Sequence, residues 1–290
     1  MSIQRMCEAA GVSRAGFYRD WQERQPGEAE LAIRDAVQRA ALAQRAYGYR
    51  RIARLVQRDG VAVSERVVRR ILRSDNLLAI RKRKFVATTD PRHNFAIYTN
   101  LAQYVAVTAT NQLWVADITY LRLRREFVYL AVVLDVCSRK VVGWAAGLSL
   151  QTALPLLALN RAIAARAPGP GLVHHSDRGT QYASNEYVQR LEAAGMHISM
   201  SRPARPWENA YCESFMRTLK AEEISHPHCA TLEELEQSIG EYVDEFYNRH
   251  RLHSALGYLS PEEFEQTLIK QPKLPLKMSF SRHEEIYPDA

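Results

Sequence analysis

The pattern of apolar and polar positions changes character near residue 111. Before it, apolar residues recur at helical spacing, which predicts helices over residues 28–45, 49–59 and 64–73. After it, β-branched and aromatic residues dominate three runs that short polar turns separate, at 113–120, 127–136 and 140–149. The chain therefore reads as a helical N-terminal part followed by an antiparallel meander of three strands.

Beyond residue 150 the helical and strand-like patterns alternate. Helices are predicted over 151–167 and 184–194, strands over 172–176 and 196–201, and a further helix begins at Asn209. Three antiparallel strands followed by alternating helices and strands are the order of the ribonuclease-H-like layout, a mixed sheet covered by helices on both faces. We therefore predict an α/β fold, with a ribonuclease-H-like catalytic core and an N-terminal all-α helix-turn-helix module.

The helices 49–59 and 64–73 form a basic pair joined by Gly60 to Val63, and Ser64 stands at the N-cap position of the second. This arrangement is typical of a helix-turn-helix, whose second helix enters the major groove of DNA. The residues expected to face phosphates and base edges are Arg66, Arg69, Arg70 and Arg73. An amphipathic helical pair whose arginines only face water explains the same pattern. A second candidate at 7–21 has a turn at 11–13, but the helix that should precede it is nearly missing.

Five regions are predicted along the chain. Residues 1–75 are assigned to the helical DNA-binding region, 76–110 to a basic linker, 111–225 to the catalytic core, 226–268 to a helical extension of that core and 269–290 to a flexible tail.

Charge follows the same division. Residues 1–92 carry 20 Lys plus Arg against 10 Asp plus Glu, a net charge of +10, which leaves −3 for residues 93–290 out of the total of +7. A basic module beside a slightly acidic one suggests that the first grips a polyanion, and nucleic acid is the obvious one. Solvated surface arginines alone would give the same count.

The sequence lacks the features of membrane proteins, secreted proteins and disulfide-rich or zinc-stabilised domains. No run reaches 18 uncharged apolar residues and the N-terminus has no signal-peptide layout, so we expect no membrane association and a cytoplasmic protein, nucleoid-associated when bound to DNA. The four cysteines are scattered without a C-x-x-C pair, which indicates neither a disulfide framework nor structural zinc.

Three acidic residues carry the candidate chemistry. Asp117 lies in the run LWVADITYL, Asp177 follows the run GLVHHS, and Glu213 lies on a predicted helix. Because the first two close strand-like segments, three carboxylates far apart in sequence could meet at one edge of a sheet. Two divalent ions held there would serve phosphoryl transfer, and hard oxygen ligands suit Mg²⁺ or Mn²⁺.

Several neighbours of these acids are candidate DNA contacts. Lys220 would share a helical face with Glu213 and contact a terminal phosphate, or would pair with Glu223 at the surface. Asn209 and Tyr211 are predicted either to contact DNA or to support the acids. Arg178 is predicted either to contact a phosphate or to have a structural role in the turn after Asp177.

Other polar residues are assigned to structure or left open. His174 and His175 are expected to pack rather than bind metal, and Asp135 to cap a turn. In the C-terminal stretch, 249–253 give a positive edge that could guide DNA, whereas His253 and Leu256 could equally pack on the core.

Five motifs support a family resemblance. WVADITY, YLAVVLDVCSRKVVGW, HSDRGTQYAS, ENAYCESFMRTLK and YNRHRLHSALGYLSP, in this order, closely resemble the OrfB product of the insertion sequence three family of bacterial transposases, over about 47–264. The resemblance implies an integrase-like core with a DDE triad of Asp117, Asp177 and Glu213. In this triad Asp117 would bridge two Mg²⁺ ions and the other two acids would each hold one.

The resemblance also implies function and partners. It implies DNA strand cleavage and strand transfer at the ends of an insertion sequence, a homo-oligomer assembled on DNA, and an upstream-frame fusion partner. The His2Cys2 zinc module of retroviral integrases is not expected, since only Cys7 and His93 precede Asp117. One alternative is a non-catalytic DNA-binding fragment that regulates its own element. A ribonuclease H fits the fold, but not the basic N-terminal module or Lys220.

Overall fold

The computed structural model describes residues 3–14, 27–79, 97–123, 127–202, 205–222, 229 and 231–270. The chain folds into two compact units, residues 1–80 and 81–290. The basic run 81–84 and the tail predicted over 269–290, except for its first two residues, fall outside the described residues.

The first unit is helical. Its described helices are α1 (Ile3–Ala10), α2 (Glu28–Ala43), α3 (Tyr49–Arg58) and α4 (Glu65–Ser74). Helix α1 ends at Gly11, which has a φ of +64° and lacks the Cβ that would strain this conformation. The expectation that this first helix is nearly missing was wrong, because residues 3–10 complete two turns with Cys7 buried.

Helices α3 and α4 form the predicted basic pair. The Ser64 hydroxyl accepts from the backbone N–H of Val67 at 3.4 Å, which confirms the N-cap of α4. The two helices pack through a small apolar face made of Ile52, Ala53, Val56, Val68, Ile71 and Leu72. Gly60 turns the chain between them with a φ of +85°.

Asp75 attaches the end of α4 to α2. Its carboxylate accepts from the Arg34 guanidinium and, at 2.7 Å, from the side-chain amide of Gln38. The hydrogen bond from Arg34 is the main cause that lowers the pKa of Asp75. These hydrogen bonds connect the C-terminal end of α4 to α2.

The second unit is built on a five-stranded mixed sheet. Its strands are β1 (Leu113–Arg122), β2 (Phe127–Asp135), β3 (Val141–Gly147), β4 (Val173–Ser176) and β5 (His197–Met200). The order is β3-β2-β1-β4-β5, in which β1, β2 and β3 pair antiparallel while β4 runs parallel to both β1 and β5. The predicted antiparallel meander and mixed sheet are confirmed.

Helices cover both faces of this sheet. They are α5 (Ala153–Arg166), α6 (Thr180–Ala183), α7 (Asn185–Ala193), α8 (Ala210–Glu222), α9 (Leu232–Gly240) and α10 (Pro261–Lys270), with a π-helical segment at Glu241–Tyr247. Side-chain alternation along β1 sends Leu113 and Val115 into the core beneath α8 and α9, while Trp114 and Ala116 enter the core beneath α5 and α7. The two cores establish the ribonuclease-H-like layout.

The end of the predicted linker belongs to this unit. Ser199 accepts the backbone N–H groups of Leu101 and Ala102 at 2.9 and 3.1 Å, and Ala102 and Val107 are buried. Asp135 caps the β2–β3 turn as predicted, since its carboxylate accepts from the N–H groups of Cys137 and Ser138.

Candidate active site

Asp117 lies on the α8 side of the sheet. The same alternation that buries Leu113 and Val115 beneath α8 places Asp117 and Thr119 on that face of β1. The backbone N–H of Ile118 donates to its Oδ1 at 2.8 Å, which holds the carboxylate at the strand.

Asp177 stands immediately after the end of β4, as predicted, whereas Asp117 lies within β1, which continues to Arg122, so the expectation that Asp117 closes a strand was wrong. Its Oδ1 accepts from the backbone N–H of Gly179 at 2.9 Å. A Cβ at Gly179 would lie only 3.0 Å from that same oxygen, so the tight turn favours glycine. The turn thereby fixes the direction of the carboxylate.

The predicted acids influence one another. The pKa of Asp117 rises to about 7, first because its half-buried carboxyl is shielded from water, then because of the negative charge of Asp177, with a smaller contribution from Glu213. The positive charge of Lys220 lowers the pKa of Asp117. The structure thus brings Asp117 and Asp177 together, with Glu213 and Lys220 within electrostatic range.

Glu213 lies at the rim of this group. Its Oε1 accepts from Arg217 Nη2 at 3.2 Å, one turn along α8, and 55% of its side chain is exposed. Within the described parts of the chain, no set of three His, Cys, Asp or Glu side chains is arranged to hold a metal ion. Since an exposed i,i+4 ion pair contributes only about 0.3–0.5 kcal/mol, Glu213 can leave Arg217 at little cost. The three-acid metal site stays a prediction.

Lys220 lies beside Asp117 on the inner side of α8. Its Nζ donates to the Thr119 hydroxyl and sits 4.9 Å from the centroid of the Tyr120 ring. Burial lowers the pKa of Lys220 to about 8. The alternative partner, Glu223, falls outside the described residues.

Asn209 supports the strand that carries Asp117. It is buried, and its Nδ2 donates to the Ala116 carbonyl at 3.0 Å. This hydrogen bond joins the start of α8 to the residue before Asp117. Of the two roles predicted for Asn209, the geometry favours support over DNA contact.

Tyr211 and Arg178 also have protein partners. The Arg139 guanidinium lies 4.0 Å from the centroid of the Tyr211 ring, and Arg178 Nε donates to the Ser201 carbonyl at 2.8 Å. The Arg178 contact links the Asp177 turn to the end of β5. Their roles as DNA contacts stay predictions.

His174 and His175 are packed in the interior, as expected. His174 contacts the Tyr187 hydroxyl at 3.1 Å through Nε2, and His175 contacts the Ser199 hydroxyl at 2.8 Å through Nδ1. Burial lowers the pKa of these histidines to about 3 and about 4, so both are neutral at physiological pH.

Glu208 is a functional support that the sequence analysis missed. It accepts from the side-chain amide of Asn100 at 2.9 Å and from the backbone N–H and Nε of Arg202, both at 2.7 Å. These partners fix the 3₁₀ turn Pro206–Asn209 that leads into α8. No local pattern marks Glu208, because Asn100 lies more than one hundred residues away.

Arg251 corrects another expectation. The residue is 3% exposed rather than part of a positive surface edge, and its Nε and Nη2 donate to Glu222 at 2.8 Å each. The Tyr242 hydroxyl donates to the same carboxylate at 2.8 Å. The C-terminal segment therefore clamps the last turn of α8, the helix of Glu213 and Lys220. Leu256 is buried, as the packing alternative predicted.

The substitution Arg251→Met is expected to lower the free energy of unfolding by about 3–5 kcal/mol, because it leaves the buried Glu222 carboxylate without its counter-charge. Arg249→Met is the matched control, since Arg249 pairs with Glu245 at the exposed surface, and should cost less than about 1 kcal/mol. Urea denaturation of both variants measures the difference. Equal costs would show that the clamp does not form.

The four arginines predicted to meet DNA lie on the exposed side of α4. Arg66, Arg69, Arg70 and Arg73 line, with Ser74, a surface depression of about 390 Å³. Arg70 lies 4.0 Å from Glu30, and the Arg69 guanidinium lies 5.5 Å from the centroid of the Tyr49 ring. No helix among the described residues has the length and apolar character needed to cross a membrane.

Comparison with known proteins identifies the family. Sequence models of the integrase core domain match residues 107–206 and 194–261, and an HTH-like domain matches residues 28–85. The latter spans the predicted helix-turn-helix pair. An insertion element IS600 protein of 31 kDa from Shigella sonnei is 38% identical, over 90% of this chain and 97% of its own length.

Two transposases are also similar. The transposase InsF of insertion sequence IS3A from Escherichia coli is 34% identical, over 91% of this chain and 94% of its own length. The transposase of IS904 from Lactococcus lactis is 35% identical, over 76% of this chain and 87% of its own length. Among solved structures, a simian T-cell lymphotropic virus intasome aligns with 13% identity and a TM-score of 0.48, over 88% of this chain and 80% of that one. The chain belongs to the insertion sequence three family of transposases.

Proposed function

We propose that this chain is a DDE transposase that cuts DNA strands at the ends of its insertion sequence and joins them to new positions. The observation that carries the proposal is the proximity of Asp177, at the edge where β4 ends, to Asp117 on the neighbouring strand β1, with Lys220 and Glu213 of α8 within electrostatic range. Strand cleavage and strand transfer are both phosphoryl transfers, which paired carboxylates serve through bound metal ions.

The donor set suits divalent cations. Burial and then the negative charge of Asp177 raise the pKa of Asp117, and a cation between the two carboxylates would offset their repulsion. Their oxygens are the hard ligands that Mg²⁺ prefers, and Mn²⁺ would bind them too. We assign Asp117, Asp177 and Glu213 as the ligands of two ions. When bound, the ions would supply the Lewis acidity that activates the attacking oxygen and stabilises the leaving one.

The protein side chains position the substrate and the acids. Lys220 brings a positive charge next to Asp117, where it can hold a phosphate of the strand end. Asn209 is a positioning residue, because its hydrogen bond to Ala116 fixes the strand that carries Asp117. Tyr211 and Arg178 remain candidate contacts to the DNA backbone at the same edge.

The helical unit binds the DNA at the ends of the insertion sequence. Exposed arginines on the second helix of a helix-turn-helix pair are suited to phosphates and base edges. We assign Arg66, Arg69, Arg70 and Arg73 to this contact. Because an insertion sequence has two ends, the active form would be a homo-oligomer on DNA, with an upstream-frame fusion partner contributing where the element encodes one.

Incubation with labelled oligonucleotides that carry the element ends, in the presence of Mg²⁺, tests the proposal. The wild-type protein should give cleaved or joined strands, and Asp177→Asn should give none above background. EDTA should abolish the products and Mn²⁺ should restore them.

Equal products from the wild type and Asp177→Asn would overturn the assigned chemistry. Specific binding of the ends without any product, also in the presence of the fusion partner, would instead identify a DNA-binding regulator of the element.

A further inference from the structure

Trp207 is a large aromatic side chain that stays in solvent on the turn leading into α8, the helix that carries Glu213 and Lys220. Its surface is 55% exposed, although it lies two residues before the buried Asn209 and six before Glu213. An exposed indole contributes little to the core. Its position at the entrance to α8 therefore calls for another explanation.

The turn that carries Trp207 is held in place. The next residue, Glu208, is buried and hydrogen-bonded to Asn100 and Arg202, and Asn209 is bonded to the Ala116 carbonyl. These anchors fix the backbone on the C-terminal side of Trp207. The indole is thus presented to solvent from an ordered support.

A positive charge accompanies the indole. The Arg205 guanidinium lies 5.7 Å from the centroid of the Trp207 ring, within the range of a cation–π contact. A flat apolar ring with a guanidinium at its side matches the chemistry of a nucleotide, whose base stacks on aromatic faces while its phosphate meets the cation. A base inside a duplex has both faces covered by its neighbours, and a terminal pair exposes one face of a rigid end, so an unpaired base at the end reaches an aromatic ring most readily.

We propose that Trp207 is the stacking platform for an unpaired base at the DNA end, with Arg205 contacting the adjoining phosphate. This inference rests on the proposed function, which brings a strand end to Asp117 and Asp177. A base held on Trp207 would keep the end open and hold the backbone close to the carboxylates. Trp207 would thus bind substrate without taking part in the chemistry.

A binding experiment without metal tests the platform. The probe is a duplex with two unpaired nucleotides at its 3′ end, one of them 2-aminopurine, and the fully paired duplex is its reference. Binding is measured in EDTA by 2-aminopurine fluorescence with the full chain. The wild type should bind the open end more tightly than the paired end. In Trp207→Ala the ratio of the two Kd values should fall by about tenfold.

Two further variants make the result specific. Trp207→Phe should keep most of the preference because it retains an aromatic face, and Tyr104→Ala should leave it unchanged, since Tyr104 is an aromatic residue with 77% exposure on another turn. Circular dichroism should show the same fold for all four proteins.

Equal preference of Trp207→Ala and wild type for the open end would overturn the inference. So would a change in the oligomeric state of Trp207→Ala without DNA, which would assign the indole to a contact between copies of the chain. Because the assay contains no metal, failure of strand cleavage would refute the proposed function and leave the binding result intact.

Discussion

The substitution Asp117→Asn is expected to abolish strand cleavage and to stabilise the metal-free protein. Asparagine keeps the size of the side chain and removes its charge, so the proposed bridging metal ligand is lost and the cleavage rate should fall by on the order of 10³ or more. The same change removes a half-buried negative charge that is repelled by Asp177. Activity and stability should therefore move in opposite directions.

The stabilisation should depend on pH. The carboxyl of Asp117 has an ordinary pKa of 3.8 when exposed, but its pKa is about 7 in the folded chain. Between these values the folded protein retains a proton that the unfolded chain has released, so wild-type stability falls as pH rises from about 4 to about 7. The variant lacks this loss. The free energy of unfolding of Asp117→Asn should equal that of the wild type below pH 4. Above pH 7 it should exceed the wild-type value by on the order of 1–3 kcal/mol.

Thermal unfolding in EDTA at a series of pH values measures this difference. Added Mg²⁺ should then stabilise the wild type more than the variant, because a ligand that binds only the folded state raises its stability. Lower stability of Asp117→Asn above pH 7 would contradict the charge repulsion assigned to the acids.

Asp135→Asn is the matched control for this experiment. Asp135 is also buried, but both of its oxygens accept hydrogen bonds, Oδ2 from the N–H of Asn111 and Oδ1 from that of Cys137. An amide group would turn one acceptor into a donor that faces other donors. The same chemical change should therefore destabilise the protein here, by about 2–4 kcal/mol.

Local chemistry explains what could be predicted from the sequence. The strands could be recognised because apolar residues dominate them, and Asp177 because it directly follows a buried strand. Ser64 could be assigned as a cap because its partner, Val67, lies three residues away. Each of these features depends on residues close together in the chain.

Features that depend on distant partners were not predictable. Glu208 and Arg251 look like surface residues in the sequence, and only the fold brings Asn100 to the first and Glu222 to the second. Within the helical extension predicted over 226–268, α9 gives way after Gly240 to a π-helix, in which the buried Tyr242 and Tyr247 follow i,i+5 spacing. Likewise, Glu213 pairs with Arg217 at the exposed surface of α8, an orientation that its position on the predicted helix does not by itself give.

Gly143 lies where β3 and α5 approach each other most closely among the glycine contacts of the sheet. A Cβ at Gly143 would lie 2.3 Å from the Ala158 carbonyl oxygen and 2.7 Å from the Ala162 nitrogen, both backbone atoms. Backbone cannot rotate away as a side chain can, so Gly143→Ala must push α5 off the sheet. We expect a loss of at least about 3 kcal/mol in the free energy of unfolding.

Gly147→Ala provides the comparison on the same strand. There the added Cβ would meet only the Leu154 Cδ1 atom at 3.3 Å, at the end of a flexible side chain. This variant should lie within about 1 kcal/mol of the wild type. Chemical denaturation of the two variants separates the effects, and equal stability would show that α5 does not pack on β3 at the distance described. Because the β3–α5 contact includes none of the residues proposed to contact DNA, any Gly143→Ala protein that remains folded should still bind DNA.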